Sequence, residues 1–463
     1  MQLKSPRRSP IIPPTLAGAC ASVLATTLQA VPLGGGALLE EDAAPPALAP
    51  QPRYPRWLDD TRASGSSLLY REGDGRILVW ENTLDIRHTL DSDRSLSLSA
   101  TSDLITGASP IGTVPSQTPQ IITSASGQST TIAPGELPLF SVSDRRLAVA
   151  GQYRYPLNES LRATSGASFA VERDFSSIGL AQTFSHGLRH ALTTWEAGLA
   201  MELDDIRPLG GTPPPLAREG SFTLQSGEEA DDVPGKRRLS LEWQLGLSQI
   251  LSRRLLLQGQ YFGGHLNGYL TDPYKRISYV SALSGEPLPG QGTWTERRPQ
   301  RRTFHGLSLT LLAYLPHDPV WRNRIRLFRD DWQIRAAAID SRLDLPLPGP
   351  TPHGLTLHAR LYRQSAAWFY RYRLVDGPSD LPGVRPQDIT RDPTRLPAAS
   401  ADWRLGNLQD LLIDIGYRRT LPSIWWLDGE LRTRAGRLVQ RDRDELFPRL
   451  TAWYAQIDLS LKW

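Results

Sequence analysis

Residues 453–463 read Trp-Tyr-Ala-Gln-Ile-Asp-Leu-Ser-Leu-Lys-Trp. Trp453, Ala455, Ile457, Leu459, Leu461 and Trp463 are apolar, and Tyr454, Gln456, Asp458, Ser460 and Lys462 between them are polar or amphipathic. Successive side chains of a strand point to opposite faces, so the period predicts a strand with one greasy face, one wet face and an aromatic end. The closing strand of a bacterial outer-membrane barrel reads this way. In such a barrel Leu459, Leu461 and Trp463 would form the assembly signal recognised by the barrel-assembly machinery. The edge strand of a soluble β-sandwich has the same period, so the rest of the chain must decide.

Composition favours the barrel. The chain has 463 residues of which 40% are hydrophobic, and its mean hydropathy is −0.34, which leaves no room for helical membrane spans. In a barrel only alternate residues need to face outer-membrane lipid. The net charge of +4 comes from 52 basic and 48 acidic residues spread along the chain. There is no basic tract, so nucleic acid is not an expected partner.

The amino terminus reads as an export signal over 1–37. Lys4, Arg7 and Arg8 precede an uncharged Ala- and Leu-rich run from Thr15 to Leu33, and small residues close it around Gly34 to Ala37. Cys20, the one cysteine, lies inside this segment, and Ala17 stands where a lipoprotein signal would want leucine. The mature chain then carries no thiol to mispair in the oxidising periplasm. Residues 38–65, rich in Ala and Pro, read as a periplasmic extension.

From Ser66 to Trp463 the chain alternates repeatedly. Leu239, Leu241, Trp243, Leu245 and Leu247 are interleaved with Ser240, Glu242, Gln244, Gly246 and Ser248, and similar rows begin at Leu307, Leu355 and Leu411. Strands are expected near 66–72, 77–90, 94–104, 144–156, 160–173, 176–186, 190–205, 237–250, 254–269, 302–314, 321–329, 333–347, 354–368, 402–420, 425–439 and 450–463. That is about 16 strands, most of them long enough to cross a bilayer when tilted. The long connections, Ile105 to Ser143, Ile206 to Lys236, Leu270 to Arg301 and Phe369 to Ala401, all fall at odd positions. Even connections such as Asp91 to Asp93, Leu157 to Glu159 and Leu251 to Arg253 are short. Short periplasmic turns and long extracellular loops are the mark of an outer-membrane barrel, and a sandwich has no reason to sort its loops. Tyr261, Trp321, Trp332, Trp403, Trp425, Trp426, Trp453 and Trp463 fall near strand ends, where an interfacial girdle is expected. The fold class is therefore all-β, a transmembrane antiparallel up-and-down barrel.

Chemistry is harder to find. The eight histidines are His88, His186, His190, His265, His305, His317, His353 and His358. Only His265, with Asp272 nearby in sequence, suggests a catalytic pair at the outer side, and a lone strand histidine is more often a polar lumen residue. No metal motif, cysteine pair or glycine-rich phosphate loop is present, so no catalytic, cofactor or metal residues are expected. One constellation recurs. Asp103, Asp174, Asp204, Asp205, Asp272, Asp330 and Asp331 fall at outer strand ends, accompanied by Arg173, Arg207, Arg276, Arg301 and Arg329. The plain reading is a solvated, self-paired rim. The sharper one is a mouth that binds a cation, a cationic partner or a lipopolysaccharide headgroup.

Several strand-end segments carry a resemblance. Asp103-Leu-Ile-Thr-Gly-Ala-Ser-Pro110, Glu172-Arg-Asp-Phe-Ser-Ser-Ile-Gly179, Asp204-Asp-Ile-Arg-Pro-Leu-Gly-Gly-Thr-Pro213, Gly268-Tyr-Leu-Thr-Asp-Pro-Tyr-Lys275 and Arg329-Asp-Asp-Trp-Gln-Ile334 resemble the bacterial family catalogued as domain of unknown function 3570. The likeness runs from about Ser66 to Trp463. It implies an outer-membrane barrel, and the association of relatives with a flavin transferase and a small lipoprotein implies a role in extracytosolic electron transfer. A periplasmic or surface redox lipoprotein is then the expected partner. Arg173 and the Ser/Thr-rich loop from Ile111 to Ser143 depart from the family pattern.

The expected function is a porin-like channel, or an envelope partner or anchor for an electron-transfer system, without a cofactor of its own and without catalysis. The alternatives are a barrel enzyme acting on envelope lipid or peptide and a soluble all-β secreted binding protein. An epitope placed in 111–140, 215–232 or 380–398 should be labelled on intact cells, and one beside Asp91 or Asn158 should not. The reverse labelling would overturn the topology.

Overall fold

A computed structural model describes residues 60–463, apart from 126–128, 189–191, 223, 225–234, 379–381, 425–426 and 445. The expected export signal, most of the expected extension, His190, Trp425 and Trp426 lie outside the described residues. The strands are β1 (Thr61–Glu72), β2 (Leu78–Thr89), β3 (Ser95–Pro110), β4 (Gln120–Thr123), β5 (Ser129–Ile132), β6 (Leu139–Pro156), β7 (Leu161–Val171), β8 (Phe175–Leu188), β9 (Thr193–Ile206), β10 (Lys236–Ser252) and β11 (Leu255–Gly268). They continue as β12 (Arg276–Ser281), β13 (Thr293–Thr295), β14 (Arg301–Tyr314), β15 (Val320–Asp330), β16 (Arg335–Leu347), β17 (His353–Gln364), β18 (Leu374–Asp376), β19 (Leu408–Ile424), β20 (Leu427–Asp442) and β21 (Leu450–Lys462).

Sixteen of these close into one antiparallel barrel, in the order β1-β2-β3-β6-β7-β8-β9-β10-β11-β14-β15-β16-β17-β19-β20-β21. The ring is sealed by the first and last strands, which pair from Arg62 with Lys462 to Glu72 with Ala452. The Trp463 amide donates to the Thr61 carbonyl at 3.0 Å. Each strand expected from the sequence corresponds to one strand of the ring.

The greasy rows point outward. Leu245 and Leu247 are 56% and 54% exposed, and Trp453 and Ile457 are 58% and 57% exposed. In water such a band would be a large exposed apolar surface. In a bilayer it is satisfied, while the strand backbones bond only to one another. The soluble sandwich is thereby overturned, because its greasy rows would have met another sheet.

Paired glycines make room for rings on the inner wall. A Cβ on Gly306 would lie 2.1 Å from the Phe262 ring, and one on Gly264 would lie 2.6 Å from the Phe304 ring. Each phenylalanine covers the glycine opposite it in register. The bare backbone lets the ring lie flat on the inner wall while the strands curve.

Several strand boundaries and two aromatic placements differ from expectation. The first strand begins at Thr61 rather than Ser66, because Arg62 to Gly65 pair with the closing strand. Strand β19 begins at Leu408 rather than 402, because Trp403–Leu405 form a 3-10 turn capped by Asp402. Trp332 and Trp403 are not girdle residues: Trp332 is 4% exposed in a core of loop residues, and Trp403 packs against buried residues of the barrel's inner wall.

The closing strand gives a direct test. Trp463→Asp, or removal of Leu459 to Trp463, should abolish insertion, read as loss of the heat-modifiable band in outer-membrane fractions. Normal levels of the inserted variant would show the terminus to be incidental.

Candidate functional site

Four long connections, 111–138, 207–235, 269–300 and 365–407, stand at the outer end of the barrel and interlock as a cap. From the third comes β12, which pairs antiparallel with β13 of its own loop and parallel with β18 of the fourth, joining Tyr279 to Leu374 and Val280 to Val375. The first joins through the Arg276 amide, which donates to the Ile111 carbonyl at 2.8 Å. The second joins through Glu219, which the Arg276 side chain meets at 3.0 Å. Ile277, Leu374, Ala399 and Ala401 are fully buried between these loops.

A buried charge network ties the third loop to the fourth. Arg298 lies 2.6 Å from Glu296 and 2.8 Å from Asp402. Arg404 lies 2.5 Å from Asp402 and 3.0 Å from Asp272. The Asp272 amide donates to Glu296 at 2.7 Å, and the Ser400 hydroxyl also donates to Glu296. Burial pushes the Glu296 carboxyl up against the pull of Arg298. Asp402 is equally buried, yet Arg404, Lys275 and Arg298 hold its carboxyl well below the usual range.

The seven expected mouth carboxylates are each engaged within the chain. Asp103 meets Arg146 at 3.4 Å, Asp204 meets Arg238 at 2.6 Å and Asp330 meets Arg302 at 2.7 Å. Asp205 pairs with Arg207, and Asp272 belongs to the cap network. Asp174 accepts from the Tyr274 hydroxyl at 2.6 Å, and Asp331 accepts from the Thr303 amide at 2.9 Å. Arg302 also stacks over Trp332, 4.6 Å from the ring centre, which fixes that tryptophan in the cap. Of the accompanying arginines, Arg276 is fully buried, while Arg173, Arg207, Arg301 and Arg329 are exposed.

Oxygen ligands for a hard cation could come from Asp144, Glu172 and Asp174, whose carboxylates approach within 4.8 Å of one another. Arg146 already faces Glu172 at 3.5 Å. Even so, burial, with Asp144, Asp174 and Asp103 adding repulsion, pushes the Glu172 carboxyl up to about 8.

The lumen holds what the sequence reading passed over. Ser99, Ala150, Ser168 and Gly179 are successive cross-strand partners on β3, β6, β7 and β8, all small and all on the inner face. Half-way round the ring, the inner face of β15 carries Arg322, Arg324 and Arg326. Arg322 stands directly opposite Arg342 in register. Among the described residues none of the three β15 arginines makes an ion pair; Arg324 donates to the Thr310 hydroxyl at 3.2 Å and Arg326 lies over the Phe262 ring. Their signal was legible as a period-two row of arginines on one expected strand. His358 faces the same lumen, with Nδ1 2.6 Å from Asp414 and Nε2 3.5 Å from Asp340. Both of its ring nitrogens face carboxylates. His265, the histidine singled out beforehand, bonds Thr303 at 2.9 Å.

Removing one member of the cap network should loosen the cap alone. For Asp402→Asn we expect a local loss of about 3–5 kcal/mol, read as faster hydrogen exchange in 269–300 and 365–407 with the barrel strands unchanged. A depressed carboxyl contributes above its unfolded pKa and loses that contribution as pH falls, so the difference between variant and wild type should shrink below about pH 4. Equal exchange at neutral pH would show that the network does not hold the cap.

Among curated proteins none matches the sequence. Solved structures resemble it in fold. One is described as a bacterial polysaccharide outer membrane secretin, at 7% identity and a TM-score of 0.41, covering 88% of this chain and 99% of that one. OccK2 (OpdF) of Pseudomonas aeruginosa has 11% identity and a TM-score of 0.38, covering 88% and 99%. The CymD monoaromatic hydrocarbon channel has 8% identity and a TM-score of 0.35, covering 88% and 89%. The family model described as protein of unknown function (DUF3570) matches residues 36–455. With nearly the whole described barrel inside that match, and with a closed ring whose greasy face meets lipid, this chain is an outer-membrane barrel and belongs to the DUF3570 family.

Proposed function

We propose that this protein is an outer-membrane channel that passes small anionic solutes. The observation that carries the reading is the column of Arg322, Arg324 and Arg326, none of which makes an ion pair among the described residues, although Asp340 stands across from Arg324 and is shared with His358 and Arg360. Alternate residues of a strand are roughly 6.6 Å apart, so a carboxylate or phosphate could pass from one guanidinium to the next. The small residues across the ring support the reading, because a barrel of this strand number has room for an aqueous path unless bulky side chains fill it. Setting Arg322 opposite Arg342 costs stability that Asp344, 3.1 Å from Arg342, offsets in part, and a passing anion offsets the remainder. The test is conductance in a planar bilayer under a salt gradient. Wild type should open in discrete steps with a reversal potential favouring anions, and Arg322→Ser, Arg324→Ser and Arg326→Ser together should remove that preference. An absence of steps would sink the channel reading.

The second reading is a partner or anchor for a flavin-linked electron carrier. Its support is the family resemblance, together with a cap that offers an ordered surface built from four loops. Asp204 is fully buried and the Asp330 side chain is fully covered, so docking by charge would fall to Asp205 and Asp331. Deleting the protein should then lower reduction of an extracellular acceptor by intact cells while flavin attachment to its carrier continues. Unchanged acceptor reduction would remove this reading.

A further inference from the structure

The outward face changes character along its height. At the periplasmic end Tyr153, Trp321 and Tyr417 are exposed, and at the outer end Trp80, Phe169 and Trp453 are exposed on β2, β7 and β21. At the outer end of β14, β15, β16, β17 and β20 the outward positions are Arg301, Arg329, Arg335, Arg363 and Arg441, all exposed. The pairings show their direction. Arg363 stands across from Gln409, and Gln409 from Arg441, each one alternation above the outward Leu361, Leu411 and Val439. Arg329 stands directly opposite Arg335, one alternation above the outward Leu327 and Ala337.

None of these five makes an ion pair among the described residues, whereas the rim arginines that turn inward, Arg238 and Arg302, do. Two like charges in direct cross-strand contact repel, and the carboxylates of the turn that joins Arg329 to Arg335 are engaged elsewhere, Asp330 by Arg302 and Asp331 by the Thr303 amide. An arc of five guanidinium groups, two of them in direct register, just above an apolar band matches a lipid that carries phosphate at the top of its acyl chains. Guanidinium groups bind phosphate through two parallel hydrogen bonds and hold it more specifically than a point charge does. We infer that this arc of the outer surface, from β14 to β20, is a binding site for the phosphorylated headgroup of an outer-leaflet glycolipid of the lipopolysaccharide class.

The long loops place this arc on the outer side of the membrane, so the site meets that leaflet and not the periplasmic one. The arginines lie outside the lumen, so the inference does not depend on the channel reading. Its test uses the full-length protein in detergent, with bound lipid counted by native mass spectrometry. Diphosphoryl lipid A should be retained, while its dephosphorylated form and phosphatidylglycerol should not. Arg329→Gln, Arg335→Gln and Arg363→Gln together should weaken retention on the order of a hundredfold, with the heat-modifiable barrel intact. The corresponding lysine variant, which keeps charge without the fork, should fall between. Equal retention by wild type and the glutamine variant, or of the phosphorylated and dephosphorylated lipids, would overturn the site. Equal retention of phosphatidylglycerol would overturn its assignment to the glycolipid.

Discussion

Everything in this molecule depends on the backbone pairing between β1 and β21. A strand edge in hydrocarbon leaves amide and carbonyl groups with nothing to bond, and each such group costs several kcal/mol. Pairing from Arg62 with Lys462 to Glu72 with Ala452 removes both edges at once. With the ring closed, alternation becomes a partition. One row of every strand meets lipid and the next row meets the lumen, so the same backbone builds an apolar exterior and a charged interior.

The barrel was legible because its signal is local and repeated. Period-two rows such as Leu239 to Leu247 announce their face without reference to any distant residue, and the sorting of connection lengths announces the two sides. What fills the mouth was not legible, because its contacts join residues far apart in the chain. Arg298 and Asp402 are 104 positions apart, and Tyr279 pairs with Leu374 from another loop. Trp332 and Trp403 illustrate the same limit. An aromatic residue at a strand end suits a girdle, and only the presence of a folded cap above the rim turns it into a core residue.

The rim aspartates and the lumen arginines are opposite cases. Asp103, Asp204 and Asp330 drew notice as a ring of carboxylates, and each is covered by an arginine of its own or a neighbouring strand. Arg322, Arg324 and Arg326 drew none, although their spacing puts all three on one face. A charge on a barrel strand says little until its face and its cross-strand partner are known. The family match extends the architecture to relatives without assigning them a chemistry.

The parallel pairing of β12 with β18 also sets an order of events in biogenesis. One strand comes from the loop after β11 and the other from the loop after β17, so neither can be completed until both hairpins have delivered their loops to the cell surface. Long-range pairings form after local ones because their ends must first be brought together. The cap is therefore the last part of the molecule to take shape. While the hairpins are still arriving at the membrane the mouth carries no finished cap, and the loops settle around it only after the wall beneath them stands.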